Sequence, residues 1–456
     1  MKTKKRRPEL FSFYNHSEME AHFARMAKKG WMIESISNLY WTYRKIEPKD
    51  IHFSVSYYPR ASDFDPEPSE EQQTFHDFCA HTGWQLACTW HQMQVFYNEK
   101  ESPVPLDTDP VLEVETLHRA CKKNFLPSYY VMLALGILMG GYSLARLYFD
   151  PIGLLTNSSQ MLSSFAYICV LVCALVELIT YFTWYRKAIR AAQDGHFADT
   201  PSTVGFQKCI LVFLALGMFW WLTNLFTADD PLLFWVAIAM MVYMVIVMLA
   251  VNGIKQGLKK AKASRGFNRF VTLAACFILP VIMTGVVTCV FISLNSAGTF
   301  EQDPQKEVSI PLSLTDFMEI DETNYTQYDR TSETVLLGQH VVNHHPSPHI
   351  MKDGGTESLR YIITSVKVPA LYDWCAKQIF GDGDESNNGI PEGYRSIYKE
   401  TDASAWGANA AYRLYHEEGW WQNTYLLYYD RMIVEIHFSW EPTAEQMGIV
   451  CEKLNP

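Results

Sequence analysis

Five charge-poor apolar stretches occupy the middle of the chain and leave it few ways to fold. They cover residues 126–148, 160–185, 209–226, 231–252 and 270–294. A bilayer core of about 30 Å takes about 20 helical residues, and all five approach or exceed that length. In hydrocarbon the backbone must satisfy its own polar groups, so each stretch is predicted to be a membrane-spanning helix. The chain is 456 residues long, enough to carry a soluble module at either end of such a bundle. The expected organisation is a cytoplasmic α+β domain over 1–98, a linker and juxtamembrane helix over 99–125, five transmembrane helices over 126–295, and an acidic extracytoplasmic α+β domain over 296–456.

Charge sets the expected orientation. The connection after the second stretch carries Arg186, Lys187 and Arg190, with Lys208 ahead of the third. The connection after the fourth carries Lys255, Lys259, Lys260, Lys262, Arg265 and Arg269. The other two connections hold mainly Asp150 and the pair Asp229 and Asp230. The positive-inside rule then puts the N-terminus in the cytoplasm and the C-terminal domain outside the plasma membrane. No apolar run follows the basic start, residues 1–7, so the first span is expected to serve as an internal signal. Of the overall charge of −11, residues 297–456 contribute −14, with 11 Lys and Arg against 25 Asp and Glu. Phosphate would be repelled there, so nucleic acid is not an expected partner.

The N-terminal 98 residues carry a short internal echo. Ser17 and Glu20 have the spacing of a capping box, followed by Met19, Phe23 and Met26 at helical spacing and a stop at Gly30. Ser69 and Gln72 repeat the box, and Gly83 repeats the stop. Each helix is followed by tryptophan and two strands, which predicts two helices on one antiparallel sheet in a ferredoxin-like, two-layer arrangement. Trp31, Trp84 and Trp90 could line an aromatic cage, but large aromatics more often fill a two-layer core, and that is the stronger reading.

Phe11–Tyr14, Glu18-Met19-Glu20, Lys28-Lys29-Gly30-Trp31, Gly83-Trp84 and Val95-Phe96-Tyr97 together resemble the domain of unknown function 2812 family, over about the first 100 residues. Members of that family are bacterial, often continue into transmembrane helices, and are frequently encoded beside PadR-type regulators. No catalytic residues are known for it, so the resemblance implies none here. Pro103, Pro105 and Pro110 stiffen the linker that follows, and residues 111–123 are predicted to form a helix.

Within the spans, Gly136 and Gly140 form a GxxxG pattern that packs a neighbouring helix or, alternatively, a second copy in a homo-oligomer. Glu177 is a carboxylate near the inner end of span two, expected to face the bundle or a partner such as Lys208. Asn224 is the next polar group in the spans.

In the C-terminal domain His340, His344, His345 and His349 fall within ten residues, a pattern of either a His-rich loop or a metal site. Residues 381–389 resemble a calcium loop but lack its glycine and glutamate, which favours a polar turn. Cys375 and Cys451 are the only cysteines there and could form one disulfide. No phosphate loop, nucleophile elbow or kinase set is present, and no cofactor is expected.

The sequence thus predicts a non-enzymatic sensor or relay of the bacterial cell membrane, coupling an outer domain to a cytoplasmic module and its protein partner. Two alternatives stay open: a small or accessory transporter using Glu177, and an extracytoplasmic metal-binding protein using the four histidines.

Overall fold

The internal echo survives in the folded N-terminal domain, but as two small sheets. In the computed structural model, residues 3–37, 40–227, 231–296, 310–320, 325–346, 357–385 and 395–454 are described. The first half of the domain holds β1 (Lys4–Arg7), α1 (His16–Lys28), β2 (Trp31–Ile36) and β3 (Trp41–Lys45). The second holds β4 (His52–Tyr57), α2 (Glu70–His81), β5 (Gln85–Trp90) and β6 (Met93–Asn98). The antiparallel sheets are ordered β1-β3-β2 and β4-β6-β5, in place of the single ferredoxin-like sheet expected. A bulge interrupts β2 at 33–35 and another interrupts β5 at 86–88, and the two edge strands run alongside one another without a shared ladder. Bulges bend and twist a strand, which accounts for pairing that stops at this seam. Gly30 and Gly83 both have positive φ, +80° and +96°, and end their helices where a side chain would be strained.

Of the two expected capping boxes only half of the second forms. Ser69 accepts the Gln72 amide, whereas α1 is preceded by Asn15 and both Ser17 and Glu20 bond elsewhere. After the linker comes α3 (Pro110–Lys123), capped by Asp109. Its apolar face, Val114, Leu117, Ala120 and Cys121, is buried in the domain core with Phe23, Met26, Met32, Tyr43 and Val55. That cluster continues into Leu178, Tyr181, Trp184 and Ala188, so domain and helix ends share one core. At about 1.5–3 kcal/mol per large buried apolar side chain, this shared core is the main force seating the domain.

The membrane region comprises α4 (Phe125–Leu135), a π-helical turn (Gly136–Gly140), α5 (Gly141–Phe149), α6 (Pro151–Leu155), α7 (Ser158–Gln193), α8 (Val204–Thr227), α9 (Pro231–Lys260) and α10 (Arg265–Ser296). Among the described residues five helical stretches are long and apolar enough to cross a membrane: Phe125–Phe149, Ser158–Gln193, Val204–Phe226, Trp235–Lys260 and Arg265–Val290. Most of their large apolar side chains are exposed, as lipid-facing residues must be. The N-terminal domain and the helices form one compact unit; residues 144–163 belong to a second unit with the C-terminal domain.

The second unit is built on a seven-stranded antiparallel sheet. Its strands are β7 (Tyr325–Glu333), β8 (Leu337–Pro346) and β9 (Leu359–Val366), then, after α11 (Tyr372–Glu385), β10 (Ser396–Thr401), β11 (Ala410–His416), β12 (Trp420–Tyr428) and β13 (Met432–Phe438). The chain closes with α12 (Ala444–Leu454). Strand order is β10-β11-β12-β13-β9-β8-β7. The sequence of 432–440 alternates, with Ile433, Glu435 and His437 on one face and Val434, Ile436 and Phe438 on the other, and β13 follows it: the second set is fully buried and packs with Val450 and Leu454 of α12. Ile433 faces the other side, with Leu426 and Cys375 of α11. On that second face Ile152 and Leu155 pack with Leu337 and Val366, and the Thr334 hydroxyl donates to the Leu155 carbonyl at 2.7 Å.

Candidate functional site

A six-residue segment, 12–17, ties the N-terminal domain to the helices and defines the site. Glu177 on α7 is fully buried. Its Oε2 accepts the Ser12 hydroxyl at 2.7 Å, and its Oε1 accepts the Gln207 amide of α8 at 2.7 Å. A serine hydroxyl has one proton, and here it goes to the carboxyl group. Ser12 Oγ is left to accept from Gln207 at 2.9 Å and from the Thr203 hydroxyl at 2.8 Å. The four side chains close a buried polar ring between the domain, α7 and the start of α8.

The rest of the segment extends the same grip. The Tyr14 ring is fully buried and meets Phe125 and Tyr181 edge-on, both at 5.2 Å, and stacks on Trp184 at 5.8 Å. Burial first, and the nearby Glu177 second, push its phenol far above the usual tyrosine range, so it stays neutral. Asn15 Oδ1 accepts from the Thr200 hydroxyl at 2.9 Å, and Ser17 Oγ accepts the Thr200 amide at 3.3 Å. These bonds withdraw Ser17 from the capping role that its spacing suggested. A second grip is ionic. Asp63 meets Lys255 at 2.5 Å, Asp65 takes Arg265 through two bonds at 2.5 and 2.7 Å, and Glu67 meets Lys262 at 2.7 Å. The basic connection after the fourth span, one of the two that set the expected orientation, therefore holds the N-terminal domain directly.

Next to the ring, His16 pairs with Glu113 of α3 at 3.0 Å, and Glu20 accepts the Val55 amide at 2.7 Å. Burial raises Glu20 to about 7 and Asp107 to about 6. Burial pulls His16 down, but its bond to Glu113 and the charges of Glu20 and Glu113 outweigh this and hold it above its ordinary value. All three folded-state values are raised, so the folded domain binds protons more tightly than the unfolded chain. Stability that is present below the unfolded values is lost as pH rises through the folded ones. The seating of α1 on α3 should weaken by on the order of 2 kcal/mol between pH 5 and 8. Amide exchange across 16–20 and 110–117 at the two pH values, corrected for intrinsic rates, checks this. A flat or opposite dependence would remove the cluster from the account.

Of the two settings expected for Glu177, it takes the interior one and does not pair with Lys208. The uncharged Ser12 and Gln207 take that place, because the domain packs over this end of α7. Gly136 and Gly140 face Leu171 and Tyr167 of α7, so the GxxxG pattern packs within the chain. Asn224 donates to the Trp220 carbonyl one turn back in α8, far along the helix from the ring. The three tryptophans do not form a cage: Trp84 packs with Cys79 and Phe96 and donates to the Val104 carbonyl, Trp31 lies under Lys5, and Trp90 contacts Phe13 and His91. The structure assigns them to core and rim.

The histidine loop is a strand. His340 and His344 of β8 pair with Asp329 and Gln327 of β7, His345 turns to the Pro346 carbonyl, and His349 lies outside the described residues. Among the described residues no three His, Cys, Asp or Glu side chains converge to hold a metal ion. The first part of the proposed calcium loop continues α11, and the remainder lies outside the described residues. Cys375 and Cys451 are unbridged, because α11 and α12 cover opposite faces of the sheet. Ser12, Asn15, Thr200, Thr203 and Gln207 were missed by sequence reasoning. The one available signal was a polar run, 200–203, directly ahead of an apolar helix.

No curated protein and no solved structure matches the chain. Residues 15–128 match the model of a family described as a protein of unknown function, DUF2812. The match takes in Asn15, Ser17 and Glu113 of the joint and reaches the first turn of α4. Its N-terminal domain is therefore a DUF2812 domain, carried on a chain with five apolar helices long enough to span a membrane.

Proposed function

We propose that this multi-pass membrane protein is a non-enzymatic relay in the cell membrane, and that the Ser12–Glu177–Gln207 ring is the joint through which the spans move the DUF2812 domain. The supporting observation is the ring itself: a buried carboxyl group held only by small reversible hydrogen bonds between the domain and two spans. Such a joint has two discrete arrangements, made or broken, as a relay requires. α7 offers the lever. Its first turn follows α6, which packs with the C-terminal domain, and it runs without a break to Glu177. A transporter reading is less supported, since coupling sites gather several converging polar groups along a pathway, whereas Glu177 is sealed under Ser12.

In this reading the N-terminal domain is cytoplasmic and the C-terminal domain extracytoplasmic. The basic connections bonded to Asp63, Asp65 and Glu67 support that orientation. Coupling is tested with Ile152→Ala combined with Thr334→Ala, which loosens α6 from the C-terminal domain. Amide exchange at residues 12–17 and 200–207 of the full-length protein in nanodiscs should change by about threefold or more, a shift of under 1 kcal/mol in local opening. Identical exchange would make the two ends independent modules and end the relay reading. Protease added to intact wall-stripped cells should remove a C-terminal tag and spare residues 1–125.

A further inference from the structure

The basic start of the chain forms a strand in which two of the four charges have no carboxylate partner among the described residues. β1 carries Lys4, Lys5, Arg6 and Arg7 in succession and pairs antiparallel with β3, itself ending in Arg44 and Lys45. The register sets Lys4 directly opposite Arg44. Like charges facing each other across a ladder destabilise it, and here only the Lys4 side is offset by a carboxylate, which leaves Arg44 uncompensated. Lys4 reaches Glu34 at 2.6 Å and Arg7 reaches Glu9 at 3.1 Å. No carboxylate of the described residues lies within ion-pair distance of Lys5, Arg6, Arg44 or Lys45. Lys5 instead sits over the Trp31 ring at 5.2 Å and Arg6 over Tyr40 at 4.9 Å, which keeps both side chains extended across the sheet.

We propose that the β1–β3 face binds the anionic lipid headgroups of the membrane that carries the protein. Two observations select this polyanion. Four residues lie between Arg7 and Ser12, so at most about 18 Å of chain joins them, and Ser12 is bonded to Glu177 and Gln207 at the ends of two spans. The face is thus tethered beside the bilayer surface. Strand alternation also sets Lys4, Arg6 and Arg44 on one side of the ladder, a shallow array of separate cations suited to many mobile phosphodiesters. Clusters of Lys and Arg next to spanning helices attract anionic lipid additively and in a salt-dependent way.

The test uses the full-length protein in nanodiscs of phosphatidylcholine alone or with about a third phosphatidylglycerol, reading amide exchange at residues 3–7 and 41–45. Exchange should slow by about tenfold or more with phosphatidylglycerol, given several cations near the surface, and the slowing should vanish in 0.5 M salt, where the Debye length is about 4 Å. Amides of β4 and β6 serve as the internal control and should not respond. The combined variant Arg6→Gln and Arg44→Gln should lose the lipid effect while keeping β1 paired, because both side chains are exposed on that face and their loss relieves like-charge repulsion. Equal exchange in both lipids, with the wild-type protein, overturns the proposal. So would stronger protection by a short DNA duplex in phosphatidylcholine discs, which would make the face a nucleic-acid surface.

Discussion

Replacing Glu177 with alanine should release residues 12–17 from the helix ends while the two sheets of the N-terminal domain stay folded. The substitution takes from the Ser12 hydroxyl and the half-buried Gln207 amide the acceptor that each meets at 2.7 Å, at a carboxyl group that is itself fully buried. Two hydrogen bonds worth about 0.5–1.5 kcal/mol each are lost and the removed carboxyl group leaves a cavity, so local opening should become easier by about 2–3 kcal/mol. Every 1.4 kcal/mol is a factor of ten, so amide exchange at 12–17 and 200–207 should accelerate by about 30- to 100-fold. The amides pairing β4 with β6 share none of these bonds and should keep their rates. Glu177→Gln should be far milder, under about 1 kcal/mol, because one oxygen still accepts from Gln207 and Ser12 can turn its proton to Thr203. The ordering decides the mechanism. Equal loss in both variants would mean that the charge of Glu177, not its two acceptor oxygens, holds the joint. Unchanged exchange in the alanine variant would mean that the apolar packing of Tyr14 seats the domain alone.

The spans were legible because lipid imposes a length and an apolarity that no other environment demands, and all five expected stretches overlap observed helices. The strand pair β12 and β13 was legible for the related reason that one face packs a dense core and alternates cleanly. β7, β10 and β11 escaped notice because their residues are half-exposed polar and aromatic ones, as in Tyr325–Glu333, with no burial to impose a period. Glu177 could be singled out from composition alone, since a carboxyl group in an apolar helix demands an explanation. Its partners could not be found that way. Ser12 lies 165 residues away, and a serine ahead of a helix is ordinarily a cap. The mistaken capping box at Ser17 has the same cause: a local pattern was outbid by a tertiary bond to Thr200. The histidines failed differently. Spacing within ten residues suggested convergence, but a strand sends neighbouring side chains to opposite faces, so His344 and His345 cannot share an ion.

Gly136→Ala should weaken the contact between the first two spans by about 1–3 kcal/mol, the usual range for overpacking a close contact. A Cβ placed on Gly136 would lie 2.8 Å from the Leu171 Cα and 3.1 Å from its amide nitrogen, backbone atoms that cannot rotate aside. Gly140 looks equivalent in the sequence but is not. Its added Cβ would find nothing closer than 3.6 Å, so Gly140→Ala should be close to neutral. The same asymmetry separates intramolecular packing from a dimer seam, because a GxxxG dimer needs both glycines for close approach of two backbones. Thermal unfolding in one detergent should show Gly136→Ala several degrees below wild type and Gly140→Ala within a degree of it, on the scale of a few degrees per kcal/mol. The decisive comparison is Leu171→Ala in the Gly136→Ala background. Shortening that side chain cannot move the Cα and nitrogen that make the clash, so no rescue is expected. Full rescue would show that the first two spans meet through side chains at this level, with their backbones further apart than the structure places them.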